Sequence, residues 1–445
     1  MSQSRTSSSS QPTTQTQPPT NNSIESPTPP TPPDKSHNSQ RPIARSGAPM
    51  PRRTVAVIGA GAAGLAAARE LLRVGLHVAV FEKSGRTGGT WAYDPRADDA
   101  DPLSRDPAAA GAVHGSLYAS LRTNLPRELM GFSDFPMAGR VFAGDARAFP
   151  GHREVLAFLD AFAEEHGVLA HVRLRTEVLR VRPEQGERWV VAFRGEDGEV
   201  AEEVFDAVVV CNGHWTVPFV PKIQGIGNWS GKQMHSHNYR TPEPFQNQIV
   251  VTVGMGASGI DIALDISHVA KEVHIASRYS EDRLGKFNLY QNVWIHKEIE
   301  CIQDDGKVRF AEGSAVPADV ILYCTGYHYY FPFIDLDGLT VDDNRETTKI
   351  LATMFRAQCA FYSFSFLQTI IFPSLELESK WVAAVLSGKA TLPSQEDMMA
   401  SVLEHYRRME EAGRPKRHTH VIMPEWEEHM NWLADQVGEP HLEAR

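Results

Sequence analysis

The chain has 445 residues, 42% of them hydrophobic and 22% charged, which is globular composition with room for more than one well-filled core. Its formal net charge of −11 argues against nucleic-acid binding, because phosphate recognition leans on clustered Lys and Arg. Cys211, Cys301, Cys324 and Cys359 stand far apart with no C-x-x-C pair, so neither a local redox pair nor a cysteine zinc site is indicated.

Residues 1–53 hold 11 of the 29 prolines, long Ser/Thr/Gln runs and almost no large apolar side chains. Such a segment buries too little surface to offset the entropy of ordering, so a disordered tail is expected. Its serines and its six Lys/Arg against two Asp/Glu also match a plastid transit peptide in composition. The prolines and the lack of an amphipathic Arg-rich helix weigh against targeting, and the expected compartment is the cytoplasm.

The β-branched run Val55-Ala56-Val57-Ile58 enters Gly59 directly and reads as a buried parallel strand. Helical periodicity follows over 62–73, and a second strand over 78–81 ends at Glu82, completing a βαβ unit. The first turn is Gly59-Ala60-Gly61-Ala62-Ala63-Gly64, a full G-x-G-x-x-G with an acid about twenty positions on. Gly59 permits the tight turn, Gly61 lets backbone approach a pyrophosphate, and Gly64 lets helix and strand pack closely. The helix N-terminus favours the negative charge, and Glu82 would accept hydrogen bonds from ribose hydroxyls. The alternative is a glycine-rich turn without a ligand. Just beyond, Gly88-Gly89-Thr90-Trp91 is a second flexible turn; with Gly89 and Trp91 passing close to the same ligand, the first site reads as one for FAD.

A helix is expected over 153–166 and strand-like segments ending at 207–211. At 249–253 the plan repeats: a strand, the fingerprint Gly254-Met255-Gly256-Ala257-Ser258-Gly259, a helical stretch over 260–269 and a strand over 273–275. Ala276-Ser277-Arg278 follows, with no acid in the place of Glu82. Arg278 can pair with a 2′-phosphate that an acid would repel, so NADPH is favoured over NADH; the alternative is an ordinary surface arginine. Two dinucleotide sites in one chain imply electron transfer between two cofactors. A strand over 318–323 precedes Thr325-Gly326-Tyr327, and helices with polar faces are expected from Ser379 onward. The longest apolar stretch, Cys359 to Pro373, is broken by Ser363, Ser365 and Gln368, so no transmembrane anchor is expected.

The fold class expected is α/β, with two Rossmann-type dinucleotide-binding domains. The NADPH domain, 221–324 with its linker, is expected to be inserted in a discontinuous FAD domain. That domain would comprise 54–220 and, with C-terminal helices, 325–445.

Between the fingerprints lies Trp229-Ser230-Gly231-Lys232-Gln233-Met234-His235-Ser236-His237-Asn238-Tyr239. Two histidines in a loop would suit a metal, but no companion carboxylate or cysteine cluster supports one, so a structural role in the linker is expected. The stretch resembles the F-x-G-x-x-x-H-x-x-x-Y/F signature of flavin-containing monooxygenases: Gly231, His235 and Tyr239 match, and Trp229 replaces the usual Phe. The resemblance runs from about residue 54 to the end. It takes in the order of the glycine motifs, Arg122-Thr123-Asn124-Leu125-Pro126, Cys211-Asn212-Gly213-His214 and Cys324-Thr325-Gly326-Tyr327. It points to the plant subgroup similar to glucosinolate S-oxygenases.

The resemblance implies that NADPH at the second motif reduces FAD at the first. It implies also that O2 adds to the reduced ring to give a C4a-hydroperoxyflavin, and that a soft nucleophile of a small molecule, sulfur before nitrogen, takes the oxygen. It places Asn124 near the flavin ring as the candidate catalytic residue. One departure stands against it. Between about 350 and 372 the sequence lacks the Pro-rich, Gly-containing segment usual before a stretch like Glu378-Ser379-Lys380-Trp381, which keeps a nucleotide-binding pseudoenzyme as the alternative. An N-oxygenating enzyme is also compatible. Tyr239, where Baeyer–Villiger enzymes usually carry Trp, argues against ketone oxygenation, and the missing C-x-x-C argues against disulfide reduction.

Overall fold

The computed structural model describes residues 53–106, 113–184, 188–279, 283–287, 290–335, 359–361, 371–415, 418 and 425–441. All of the expected disordered tail except Arg53, and most of the divergent stretch 350–372, lie outside the described residues. In chain order the elements that position the site begin with β1 (Thr54–Ile58), α1 (Ala62–Arg73), β2 (His77–Phe81), α2 (His152–Glu165), β3 (Val172–Arg173) and β4 (Ala207–Val210). Next come β5 (Lys232–His235), β6 (Ile249–Val253), α3 (Ala257–Ser267), β7 (Glu272–Ala276), β8 (Gly285–Lys286), β9 (Val293–His296) and β10 (Val320–Tyr323). The chain closes with β11 (Cys359–Phe361), α4 (Ile371–Leu386), α5 (Gln395–Glu411) and α6 (Trp426–Val437).

These strands form two sheets. The first has the order β11-β4-β1-β2-β3 and is parallel throughout. The second has the order β5-β10-β6-β7-β9-β8 and is parallel except at the β8–β9 pair. In each, the strand before the glycine motif pairs with the strand after the helix: Val55 with Val78 and Ile58 with Phe81 in the first, Val250 with Val273 and Val253 with Ala276 in the second. β11 comes from beyond the second sheet yet pairs with β4, so one Rossmann-type α/β domain is inserted within the other. Parallel strands covered on both faces carry β-branched residues without alternation, and all four residues of Ala207–Val210 are accordingly buried.

The helices follow the same logic of covering the sheet. α1 is rich in Ala and Leu, strong helix formers, and inserts Leu65, Ala68 and Leu71 into one cluster with Phe372, Val382 and Leu386 of α4. α3 begins three residues earlier than the periodicity indicates, because Gly256 of the fingerprint is itself the N-cap residue. Among the described residues α4 is already helical at Ile371, eight residues before the expected Ser379. Ile371 and Phe372 are helical, and Phe372 is fully buried. No helix among the described residues is long and apolar enough to cross a membrane.

A buried ionic cluster ties α1 to α4. Arg69, 1% exposed, lies 2.7 Å from Glu70, 2.7 Å from Asp134 and 3.4 Å from Glu376, which is equally buried. Its guanidinium also covers the Phe132 and Phe162 rings at 5.0 and 4.8 Å. Glu376 accepts from the Ser133 amide and hydroxyl and meets Lys380 at 3.1 Å, so its charge is shared on every side.

Candidate functional site

The two glycine motifs fold into near-identical cradles. At the first, Gly59 takes φ +101°, and a Cβ there would lie 2.4 Å from the Cys211 carbonyl oxygen at the end of β4. A Cβ on Gly64 would lie 1.9 Å from the Gly59 carbonyl oxygen, so only glycine lets α1 sit this close to β1. The second repeats this. Gly254 takes φ +109° with its Cβ position 2.5 Å from the Cys324 oxygen, and a Cβ on Gly259 would lie 2.1 Å from the Gly254 oxygen. The middle glycines differ in kind, because Gly61 and Gly256 have ordinary extended φ values of −77° and −75°. A Cβ on Gly256 would meet nothing within 4 Å, and one on Gly61 would make only an ordinary 3.4 Å contact with Gly89. Protein packing therefore does not demand glycine at either position, whereas close approach of a ligand would.

Both cradles open onto helix N-termini that suit a pyrophosphate. α1 and α3 have no acid in the first turn and no side-chain cap on the preceding glycine, so their first amides are left for an outside acceptor. The residue set thus fits two dinucleotides. Ala60, Ala62 and Ala63 line the first turn, and Met255, Ala257 and Ser258 the second, with no charge to oppose a phosphate.

The structure brings the other candidates of the first motif together. Glu82 is 7% exposed, and its carboxylate accepts from the Ala60 amide at 2.8 Å and from the Ser84 amide and hydroxyl at 2.8 and 2.7 Å. Ser84 occupies both acceptor sites of Oε1, whereas Oε2 takes only the Ala60 amide and retains acceptor capacity beside the cradle. The Gly88 amide donates to the Ala60 carbonyl at 2.9 Å, which lays the short helix Gly89–Trp91 across the motif. Gly89 has φ +55°, and its Cβ position is 2.8 Å from the Gly61 Cα. In the second motif the Gly254 amide donates to Ala276, the last residue of β7, and Arg278 stands exposed two positions on.

Asn124 is carried less directly. It is exposed in a bend whose neighbours pair with the start of α2: the Thr123 amide donates to Pro150, and the His152 amide to Leu121. α2 in turn packs Leu156 against Gly88 and His152 against Tyr93. No described hydrogen bond joins Asn124 to the first cradle.

The linker motif supplies the edge strand β5 of the second sheet, and its second half, His235 to Tyr239, is buried. Trp229 donates its indole N–H to Gly306, and a Cβ on Gly231 would lie 2.3 Å from the Trp229 ring, which explains glycine at that position. His235 is fully buried; its Nδ1 accepts from the His237 amide, and its ring stands edge-on to Tyr327. Burial pushes the His235 imidazole down to about 3, and the neighbouring His237 adds to the fall. A histidine with a depressed folded value binds its proton more readily when unfolded, so it contributes stability above the unfolded value near ~6.5 that declines as pH falls toward 3. His235→Asn, whose Oδ1 can still accept from the His237 amide, is expected to flatten that decline. Thermal midpoints between about pH 7 and 4 check this, and an unchanged slope would remove His235 as its source.

Sequence reasoning missed Arg240. Its buried guanidinium donates to the carbonyls of Asp94, Arg96, His237, Tyr239 and Gly115, each at 2.8 Å, and so fastens residues 94–96 and Gly115 to the linker. A cation satisfied only by backbone oxygens leaves no partner residue type to read in the sequence.

Comparison with known proteins agrees with this architecture. The family model for flavin-binding monooxygenase-like proteins matches residues 52–287 and 279–442. Flavin-containing monooxygenase FMO GS-OX-like 2 of Arabidopsis thaliana is 49% identical over 407 residues, 89% of this chain and 87% of that one. Flavin-containing monooxygenase FMO GS-OX1 of the same plant is 49% identical over 389 residues, covering 86% and 84%. Among solved structures, S-allyl-L-cysteine S-oxygenase from Allium sativum superposes with a TM-score of 0.84 at 47% identity, covering 88% of this chain and 90% of that one. The chain belongs to the flavin-binding monooxygenase-like family and is a flavin monooxygenase whose cofactors are FAD and NADPH.

Proposed function

We propose that the protein oxygenates a thioether sulfur of a small molecule, holding FAD at Gly59–Gly64 and NADPH at Gly254–Gly259. The observation that carries this reading is the pair of matching cradles in a chain 47% identical to an S-oxygenase over 88% of its length. Bound FAD would take a hydride from NADPH and pass electrons to O2. The balance is thioether, O2, NADPH and a proton giving sulfoxide, water and NADP+.

The chain's own residues bind and orient. Gly61 and Gly256 bring bare backbone to the two pyrophosphates, and Glu82 accepts from a ribose hydroxyl of FAD. Arg278 pairs with the 2′-phosphate of NADPH. Asn124 offers an amide that can donate or accept at the flavin. His235 takes no proton in the reaction, because a fully buried imidazole held near 3 is too weak a base. The free thiols Cys211, Cys301 and Cys324 suit a reducing compartment, the cytoplasm.

The purified holoprotein, supplied with NADPH and air, is expected to convert S-allyl-L-cysteine to its sulfoxide with about one NADPH consumed per product. The stoichiometry follows from the two-electron balance. Trimethylamine in the same assay is expected to give little N-oxide. Amine oxidation without sulfoxide would overturn the assignment to sulfur.

A further inference from the structure

Asp261 and Asp265 lie one turn apart on α3, so both project from one face of the helix that begins at the second cradle. Both carboxylates are taken up by hydroxyls from outside the second sheet. Tyr118 donates to Asp261. Ser120 donates to Asp265 Oδ2 at 2.7 Å, and Tyr239, the last residue of the linker motif, donates to the same oxygen at 2.5 Å. Tyr118 and Tyr239 are 5% and 1% exposed and stand edge-on at 5.4 Å. Burial first, then the adjoining aspartates, pushes both phenols far above their ordinary value, so they stay protonated donors at every working pH.

Each hydroxyl belongs to a segment that leads toward the first cradle. Ser120 is four residues from Asn124, and between them the Leu121 carbonyl and Thr123 amide are pinned to the start of α2. The Ala119 amide donates to Arg240, whose guanidinium holds Asp94 and Arg96. A single face of α3 is therefore coupled to the 118–124 segment and to the linker at once.

We propose that Asp265, with Asp261 as a second tie, is a positioning residue: it fixes α3 and the cradle at its N-terminus against the segment carrying Asn124. This rests on the reading that NADPH occupies the second cradle and FAD the first. Hydride transfer needs the reacting atoms held closely, and a misplacement of about 1 Å can cost a hundredfold in rate. The latch sets that spacing through the protein instead of leaving it to the nucleotide.

The test uses the holoenzyme carrying Asp265→Ala, Asp265→Asn or Ser120→Ala. Two quantities are measured: hydrogen exchange along the chain, and the rate of flavin bleaching by saturating NADPH without oxygen. In Asp265→Ala, exchange is expected to rise together in 118–123 and in α3, with the bleaching rate about tenfold lower. FAD content and NADP+ affinity should stay within about threefold of the parent, since no ligand contact is removed. Ser120→Ala, which removes an exposed hydroxyl, should fall between. Asp265→Asn keeps an acceptor oxygen and should restore most of the rate. Unchanged bleaching in Asp265→Ala overturns the proposal. So does a loss in Asp265→Asn as large as in Asp265→Ala, or exchange raised evenly over the whole fold. Neither readout involves an oxygenated substrate, so a failed thioether assay would leave this result standing.

Discussion

Gly256→Ala is expected to leave the protein folded and to weaken NADP+ binding by about tenfold or more, while Gly259→Ala, three residues on, damages the fold. The difference lies in what a methyl group would meet. At Gly256 it meets no protein atom within 4 Å and the backbone is ordinary, so the stability cost is that of an N-cap glycine becoming alanine, about 0.5–1 kcal/mol. It does enter the space where a pyrophosphate would approach the backbone, and a tenfold loss there corresponds to about 1.4 kcal/mol. At Gly259 the methyl lies 2.1 Å from the Gly254 carbonyl oxygen, and α3 must move off β6. Calorimetric titration with NADP+ alongside thermal midpoints separates the two. Normal NADP+ affinity in Gly256→Ala would place the nucleotide elsewhere.

Arg69→Met is expected to destabilise the protein by about 3–5 kcal/mol, the typical cost of removing one partner from a buried ion pair. Methionine fills much of the volume over Phe132 and Phe162, but Glu70 and Glu376 lose the cation between them. The pH dependence carries the mechanism. Burial raises the Glu70 carboxyl, with Arg69 and Arg73 holding it partly down, so losing Arg69 raises it further. A carboxylate raised in the folded state contributes stability below its unfolded value, near ~4.3, that is lost as pH rises through the folded one. The deficit of Arg69→Met should therefore be largest at neutral pH and shrink as Glu70 takes up a proton. Urea unfolding at about pH 7 and pH 5 measures both. A deficit independent of pH would mean that lost packing, not uncompensated charge, is the cause.

The parts legible in the sequence are those set by contacts close along the chain. A β-branched run entering a glycine motif marked β1 and β6, and the span of α1 follows from its Ala/Leu periodicity to the residue. Glu82 and Arg278 fall just past strand ends, where spacing alone puts them. The parts not legible depend on distant backbone. The floor of each cradle is a carbonyl, of Cys211 or Cys324, which any residue could supply. Arg240 is held wholly by carbonyls, and two of the three hydroxyls that meet the aspartates of α3 come from Tyr118 and Ser120, which belong to no motif.

The contact between Gly59 and the Cys211 carbonyl has a consequence for the order in which the protein can be made. A ribosome emits the chain N-terminus first, at about 5–20 residues per second. The glycine turn emerges well before the strand that backs it, which arrives only with residues 207–210, and the edge strand of the same sheet arrives only with 359–361. Between those two events the whole second sheet, through Tyr323, is synthesised with its own backing strand next to its own turn. The inserted domain can therefore be complete on the ribosome while the domain that begins earlier is still missing an edge strand, so the first sheet is begun before the second but finished after it.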